Sequence, residues 1–456
     1  MFASPEGSAG VPRGPLTYRS SRHVIGKDGR DDVPALSYRE NMIFRPKAPL
    51  SRGCLPAMSR PRRNDSGRGF RNAVCVTVVV VLIGVISSSA APLSLIVAAR
   101  DASAASATTS VDGLHIYAIN GRQYGVRTAI HVLAFSGSQY TLKIGLAKGT
   151  IDGGTQTPST MCRITAGCVA AVNGDFFDLS HPGAPDPGDE VGGIIQNCVL
   201  LHTPQIAHQQ ADLDGQSVSN GLEWSSTVDV NGTSVPITAI NQELPISYAQ
   251  VHLPLAGTLL FTPPYALQIP SAAGRVTYEF AQVDGTTSPT TINTTAELDF
   301  VAQTVEPVKV RAGQVFISAP AGSSLATLQV GDTVTLTTTS TAGCDSIGGH
   351  PILLNHGVVT PIVPADTYMV KPYARTVIGW TASGGTVIMT VDGKDGVSGA
   401  TAHQLVSLLQ YLNVVTALDL DGGNSTTLYA NGHVLNRPSH GTERPVSTGL
   451  LIVANP

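Results

Sequence analysis

Between residues 205 and 345 the chain offers no apolar spacing of helical type. It is rich in Thr, Ser and Val, poor in charge and interrupted by Pro and Gly. Such a stretch can bury apolar surface only through the alternating faces of short strands. Residues 228–237, 312–318 and 334–339 read as strands. The same alternation runs through 108–150, as in Leu114-His115-Ile116-Tyr117 and Tyr140-Thr141-Leu142-Lys143-Ile144, and 168–173 reads as a buried strand ending at Asn173-Gly174-Asp175. Only near the end does a clear helix emerge. Thr401 can cap it, Leu405, Val406, Leu408, Leu409 and Leu412 share one face, and Asn413 can stop it before a strand over 414–420. One helix against many strands predicts an α+β fold, a mostly antiparallel β-sheet core with few helices. Residues 205–310 read as a β-rich insertion between two parts of one core domain, 108–204 and 311–456.

The first hundred residues have a different character. Residues 1–57 carry Arg, Pro, Gly and Ser without periodicity, and read as a disordered tail or a misassigned start, with Met58 placed to be the true first residue. A basic stretch (Arg60, Arg62, Arg63, Arg68, Arg71) precedes apolar residues 73–86 and 93–99, and small residues follow at 102–104. That is the pattern of a signal peptide or a membrane anchor over 58–107, with 73–99 as the anchoring segment. The expected location is secreted or associated with the cell envelope.

Charge supports the division. Residues 1–104 hold 15 Lys and Arg against 7 Asp and Glu, whereas the remainder holds 13 against 25. An acidic main body argues against a nucleic-acid partner, which would recruit a basic surface. Four cysteines lie beyond the leader, and an even count in an exported chain suggests two disulfides. Cys162 and Cys168 close a short loop, leaving Cys198 for Cys344; four free thiols are the alternative.

The chemistry concentrates where the last strands end. In Ala417-Leu418-Asp419-Leu420-Asp421-Gly422-Gly423-Asn424-Ser425-Thr426 an apolar strand delivers two acids, which can share a face because residues two apart do so. The glycines let backbone N–H groups approach an anion. Asn173 and Asp175 stand at another strand end, Arg375 opens a further strand, and Glu443-Arg444 precedes the last. Arg suits bidentate phosphate recognition.

Together these residues resemble the phosphodiester glycosidase family, which includes the lysosomal uncovering enzyme acting on N-acetylglucosamine-1-phosphodiesters. The resemblance rests on Gly348–Leu354, Arg375–Gly379, Val391–Gly393, Leu418–Thr426 and Glu443–Val446, with Asn173–Phe177 upstream. Asn424 and Asp175 depart from the residues common there. The resemblance implies an exported hydrolase cleaving the sugar C1–O bond of a glycosyl phosphodiester, with a phosphorylated glycan or sugar-1-phosphodiester as partner and no required cofactor. It implies Asp421 as nucleophile or base, with Glu443 or Asp175 as second carboxylate. Arg375, Arg444, Gly422 and Gly423 would take the phosphate, and Asn173, Ser425 and Thr426 the sugar hydroxyls.

Two rivals share these residues. A metal-dependent phosphodiesterase would hold a divalent cation on Asp419, Asp421 and Asp175, and a non-catalytic module would grip a phosphoglycan. His350 and His356 read as packed or surface histidines. Asp178, Asp186, Asp189 and Glu190 read as a solvated loop, with Ca²⁺ binding as the alternative.

Overall fold

A computed structural model describes residues 105–456 except 112, 179–187, 207, 243–246, 249–250, 253–256 and 284–287. The predicted tail, signal peptide and anchor at 73–99 lie outside these residues. Among the described residues no helix is long and apolar enough to cross a membrane.

The strand Gly385–Val391 shows why the sheets stack. Val387 and Met389 pack on one side and Ile388 on the other, so an unbroken apolar run serves two cores. This strand belongs to an eight-stranded sheet in which Ile130–Ser136, Gly385–Val391, Arg375–Thr381, Val414–Asp419 and Ile352–Asn355 lie side by side, all antiparallel. Its outer face is covered by a helix. Helix α1 (Pro158–Ile164), α2 (Thr367–Val370) and α3 (Ala402–Tyr411) are the α-helices of the described chain. Thr401 and Gln404 form a capping box at the start of α3. Buried Leu405, Val406, Leu408 and Leu409 seal α3 onto the sheet, each contributing roughly 1.5–3 kcal/mol of apolar burial. Asn413 follows at φ 58°, the left-handed conformation that ends a helix.

The inner face meets a second sheet, ordered His433–Val434, Leu428–Ala430, Cys168–Asn173, Thr448–Ala454 and Tyr140–Leu146. Ala170, Val172, Leu450 and Ile452 point toward the first sheet, whereas Ala171, Leu451 and Val453 face Met161 of α1. The order of layers is therefore helix, sheet, sheet, short helix. The chain is mostly antiparallel β-sheet, with few helices as predicted.

A further eight-stranded sheet contains Trp224–Val230, Arg275–Gln282, Thr294–Thr304, Gln314–Pro320 and Thr333–Ser340, around its own core of Val228, Tyr278, Phe280, Leu298, Ile317 and Leu336. The pairing of Gln314–Pro320 and Thr333–Ser340 with earlier strands carries this sheet past residue 310. A five-stranded sheet, with Ser346–Gly349 between Ile194–Gln196 and Gln209–Asp212, adjoins it. Both predicted disulfides form, Cys162–Cys168 and Cys198–Cys344.

Candidate active site

The two stacked sheets end together. Val414–Asp419 in the first and Cys168–Asn173 in the second bring the acid-bearing turns into contact, and Asn173 joins them. Its amide nitrogen donates to the Asp421 carbonyl at 2.6 Å, and its oxygen accepts from the Thr376 hydroxyl at 2.7 Å and Thr427 N–H at 3.2 Å. The Asp421 N–H donates to the Gly174 carbonyl. Asn173 is fully buried and its hydrogen-bonding capacity is taken. It ties together the backbone of the site.

Asp419 and Asp421 do not form a pair. Asp419 is wholly buried, with Oδ2 2.7 Å from the Arg375 guanidinium. Arg375, also at 0 % exposure, donates further to the carbonyls of Ala400, Tyr368 and Lys371, and its guanidinium lies 4.0 Å from the Tyr368 ring centroid. Burial acts against its charge, but Asp419 and Tyr368 leave its pKa raised. Sequence patterning offered Arg375 as a phosphate ligand; the folded chain commits it to holding the sheet end together.

Asp421 faces the other way and is half-buried. Its Oδ1 accepts from its neighbour's Gly422 N–H at 2.8 Å. Burial pushes this carboxyl up to about 7, with Asp175 adding to the rise, while the Ser425 hydroxyl, the Arg444 charge and the Gly422 N–H pull it down. A carboxyl near neutrality can hold or release a proton at ordinary pH. Arg444 is half-buried, lies 5.5 Å from the Phe177 ring centroid and makes one long hydrogen bond, 3.4 Å to the Ser425 Oγ. Most of its donor fork is therefore unspent among the described residues.

Behind Asp421 stands an acid–imidazole pair. Asp175 Oδ1 is 2.9 Å from His208 Nε2 and accepts from the Phe176 N–H. Burial acts to lower His208, but the charge and hydrogen bond of Asp175, with Asp421 behind, leave it raised. The carboxylate sits between two glycines. A Cβ on Gly192 or on Gly348 would fall 2.0 Å from Asp175 Oδ2, so these two glycines are explained by the acid they admit. Glu190 is 2 % exposed. Burial raises it well above the ordinary carboxyl range, with Asp175 and Asp189 adding to this and Ser447 and Thr448 opposing. It stands at the edge of the cluster and holds its proton more tightly than an ordinary carboxyl. The solvated-loop reading fails for Asp189 and Glu190, both of which are buried.

The other predicted residues have varied fates. Glu443 accepts from the Ser159 N–H at 2.7 Å and Oγ at 2.6 Å, which anchors the first turn of α1. Gly422 N–H goes to Asp421 and Gly423 N–H to the Ala374 carbonyl, so neither amide is open to an anion. Ser425 touches Arg444 and lowers Asp421, whereas the buried Thr426 hydroxyl lacks a hydrogen-bond partner. The cluster of three metal-ligand groups among the described residues is Asp152, Asp189 and His202, not Asp175, Asp419 and Asp421. His350 meets Asp366 at 2.7 Å and His356 is exposed, as expected of packed or surface histidines.

Sequence reasoning missed His208 and assigned Glu190 only to a solvated loop. His208 carries no motif signal. Glu190 sits in Asp189-Glu190-Val191-Gly192-Gly193, where the double glycine after adjacent acids was the available hint.

Comparison with known proteins finds likeness over part of the chain. Residues 281–453 match the model of the phosphodiester glycosidase family. An N-acetylglucosamine-1-phosphodiester alpha-N-acetylglucosaminidase from Bos taurus is 36 % identical over 66 residues, 14 % of this chain and 12 % of that one. An SPbeta prophage-derived uncharacterized protein, YomE, from Bacillus subtilis (strain 168) is 38 % identical over 81 residues, 18 % and 13 % of the two chains. The aligned stretches thus cover only about an eighth of these relatives' lengths. The fold is similar to that of a hypothetical protein from Synechocystis (TM-score 0.59, 19 % identity, 78 % of this chain and 64 % of that one). A protein from Burkholderia pseudomallei K96243 described as exported is likewise similar in fold (TM-score 0.54, 19 % identity, 72 % and 74 %).

Proposed function

We propose that this protein hydrolyses glycosyl phosphodiesters, cleaving the sugar C1–O bond of sugar-1-phosphate diesters in cell-envelope or extracellular glycans. The observation that carries the reading is Asp421, a half-buried carboxyl held near neutrality beside the largely unspent guanidinium of Arg444. Arg444 binds the phosphate through its donor fork. Asp421 attacks C1 or activates water, and the Asp175–His208 pair holds the field around it. Glu443 positions the segment that carries Arg444 by fastening it to α1. Water oxygen ends on C1, and the phosphate departs with the bridging oxygen. A phosphate monoester is a good leaving group, so stabilising the departing charge and the oxocarbenium-like sugar matters more than strong protonation. Two disulfides support an extracytoplasmic location, and this chemistry needs no cofactor and no nucleic acid.

The test is turnover of a sugar-1-phosphodiester by the full-length protein in ¹⁸O-labelled water. Label in the released sugar is expected. Label in the phosphate would show P–O cleavage and defeat the reading, as would an absence of turnover across a broad panel of sugar phosphodiesters.

A further inference from the structure

His202 is the most deeply enclosed imidazole of the described chain that the chemistry above does not use. It is 0 % exposed. Its Nδ1 lies 2.9 Å from the Gly192 carbonyl oxygen, an atom that can only accept, so Nδ1 carries the proton and Nε2 presents a lone pair. Among the described residues that Nε2 has no hydrogen-bond partner, and neither has the buried Oδ1 of Asp189. The two are 3.6 Å apart, too far for a good hydrogen bond between them. Asp152, 4 % exposed, brings a carboxylate oxygen into the same space, and ligand atoms of the three residues all lie within 4.8 Å of one another.

The geometry points to a divalent transition-metal site formed by Asp152, Asp189 and His202. The unpartnered His202 Nε2 and Asp189 Oδ1 cost free energy where they lie, and an ion between them would recover it. One imidazole and two carboxylates form the mixed nitrogen–oxygen set that suits Zn²⁺ or Mn²⁺ better than the all-oxygen shells of Ca²⁺. An outer hydrogen bond from the ligating histidine to a backbone carbonyl, as His202 makes, fixes the tautomer needed for ligation. A second outer contact is present on Asp189, whose Oδ2 accepts from Gln205; the same Gln205 amide also donates to the Glu190 carbonyl at 2.8 Å. The ligand-bearing segments are pressed together. A Cβ on Gly188, itself at φ +128°, would sit 2.8 Å from the Gly154 carbonyl oxygen. The ion would clamp the 152–154 turn to the 188–192 segment, which carries Glu190 and the Gly192 that lies against Asp175.

The site can be tested without reference to turnover. Full-length protein stripped by chelator is titrated calorimetrically with Zn²⁺ alone, and with Co²⁺ followed by its visible absorption. One equivalent bound, a higher unfolding temperature on loading and an affinity at least about 10-fold weaker in His202→Ala are expected. The exposed His356→Ala should bind as the parent does. If His202→Ala does not fold, Asp152→Asn carries the comparison. Absence of saturable uptake by the parent protein, or undiminished uptake by the folded ligand variants, would overturn the site.

Discussion

Two acids stand two residues apart at one strand end, each near an arginine, and they have opposite fates. Asp419 and Arg375 are both wholly buried, 2.7 Å apart, with the guanidinium also on three carbonyls and an aromatic ring. Asp421 and Arg444 are both half-buried, and Arg444 has one long hydrogen bond. Equal residue types therefore say little about role. What separates structure from chemistry is the capacity left over after the fold has used what it needs. A saturated arginine cannot take a phosphate without giving up partners that no water can replace.

The contrast can be broken most decisively on the carboxylates. Asp421→Asn should lower kcat by about 10²–10⁴-fold, the range for loss of a proton-transferring group, while the urea midpoint stays close to that of the parent. Arg375→Met should do the reverse. It leaves the buried Asp419, already raised to about 7 by burial, without its partner and should cost about 3–5 kcal/mol of stability, read in urea unfolding. If Arg375→Met unfolded no more easily but lost phosphate affinity, the two pairs would have to exchange roles. Arg444→Ala should mainly raise KM, by about 10–100-fold for one charge-assisted contact of roughly 1.5–3 kcal/mol, and leave stability nearly unchanged.

Proton linkage sharpens the same comparison. Asp421 has a folded-state value of about 7 against an ordinary 3.8. Across that window the folded protein keeps a proton that the unfolded chain has released. Stability contributed by Asp421 is thus greatest below the window and falls as pH rises through it. Activity requiring the carboxylate rises over the upper part of the same window, with an apparent pKa of about 7. Unfolding free energies and kcat/KM measured from pH 4 to 8 should trend oppositely in the parent. Asp421→Asn should flatten only its own share of the stability trend, since burial also raises Asp419 to about 7, and a parent rate profile without a limb near 7 would remove Asp421 as the titrating group.

Much of the architecture was legible because it rests on local periodicity. The capped helix at 402–411, the buried strand 168–173, the predominance of antiparallel strands and both cysteine pairs follow from spacing and composition. Asp421 and Arg444 stood out through residue type near a glycine turn. The division of labour between Asp419 and Asp421 was not legible, because a strand end can turn its last acids either way and only tertiary packing decides. Glu443 was read as a second carboxylate because nothing local shows that Ser159, far away in sequence, takes both its oxygens. His208 was invisible for a related reason. Its partner Asp175 is 33 residues away, on another segment, and no motif records the 2.9 Å between them.

The Cys198–Cys344 bond gives the β-rich region an unusual kind of ownership. It joins the points where the chain leaves for that region and returns from it, 146 residues apart, and His208 lies between them. A protease cutting an exposed loop inside this span would therefore make two polypeptides that still travel as one molecule. Under oxidising conditions the nicked protein would keep both halves, and with them the histidine beside Asp175. Only reduction would remove the covalent tie between the two pieces, which makes the redox state of the surroundings part of how long the nicked protein stays whole.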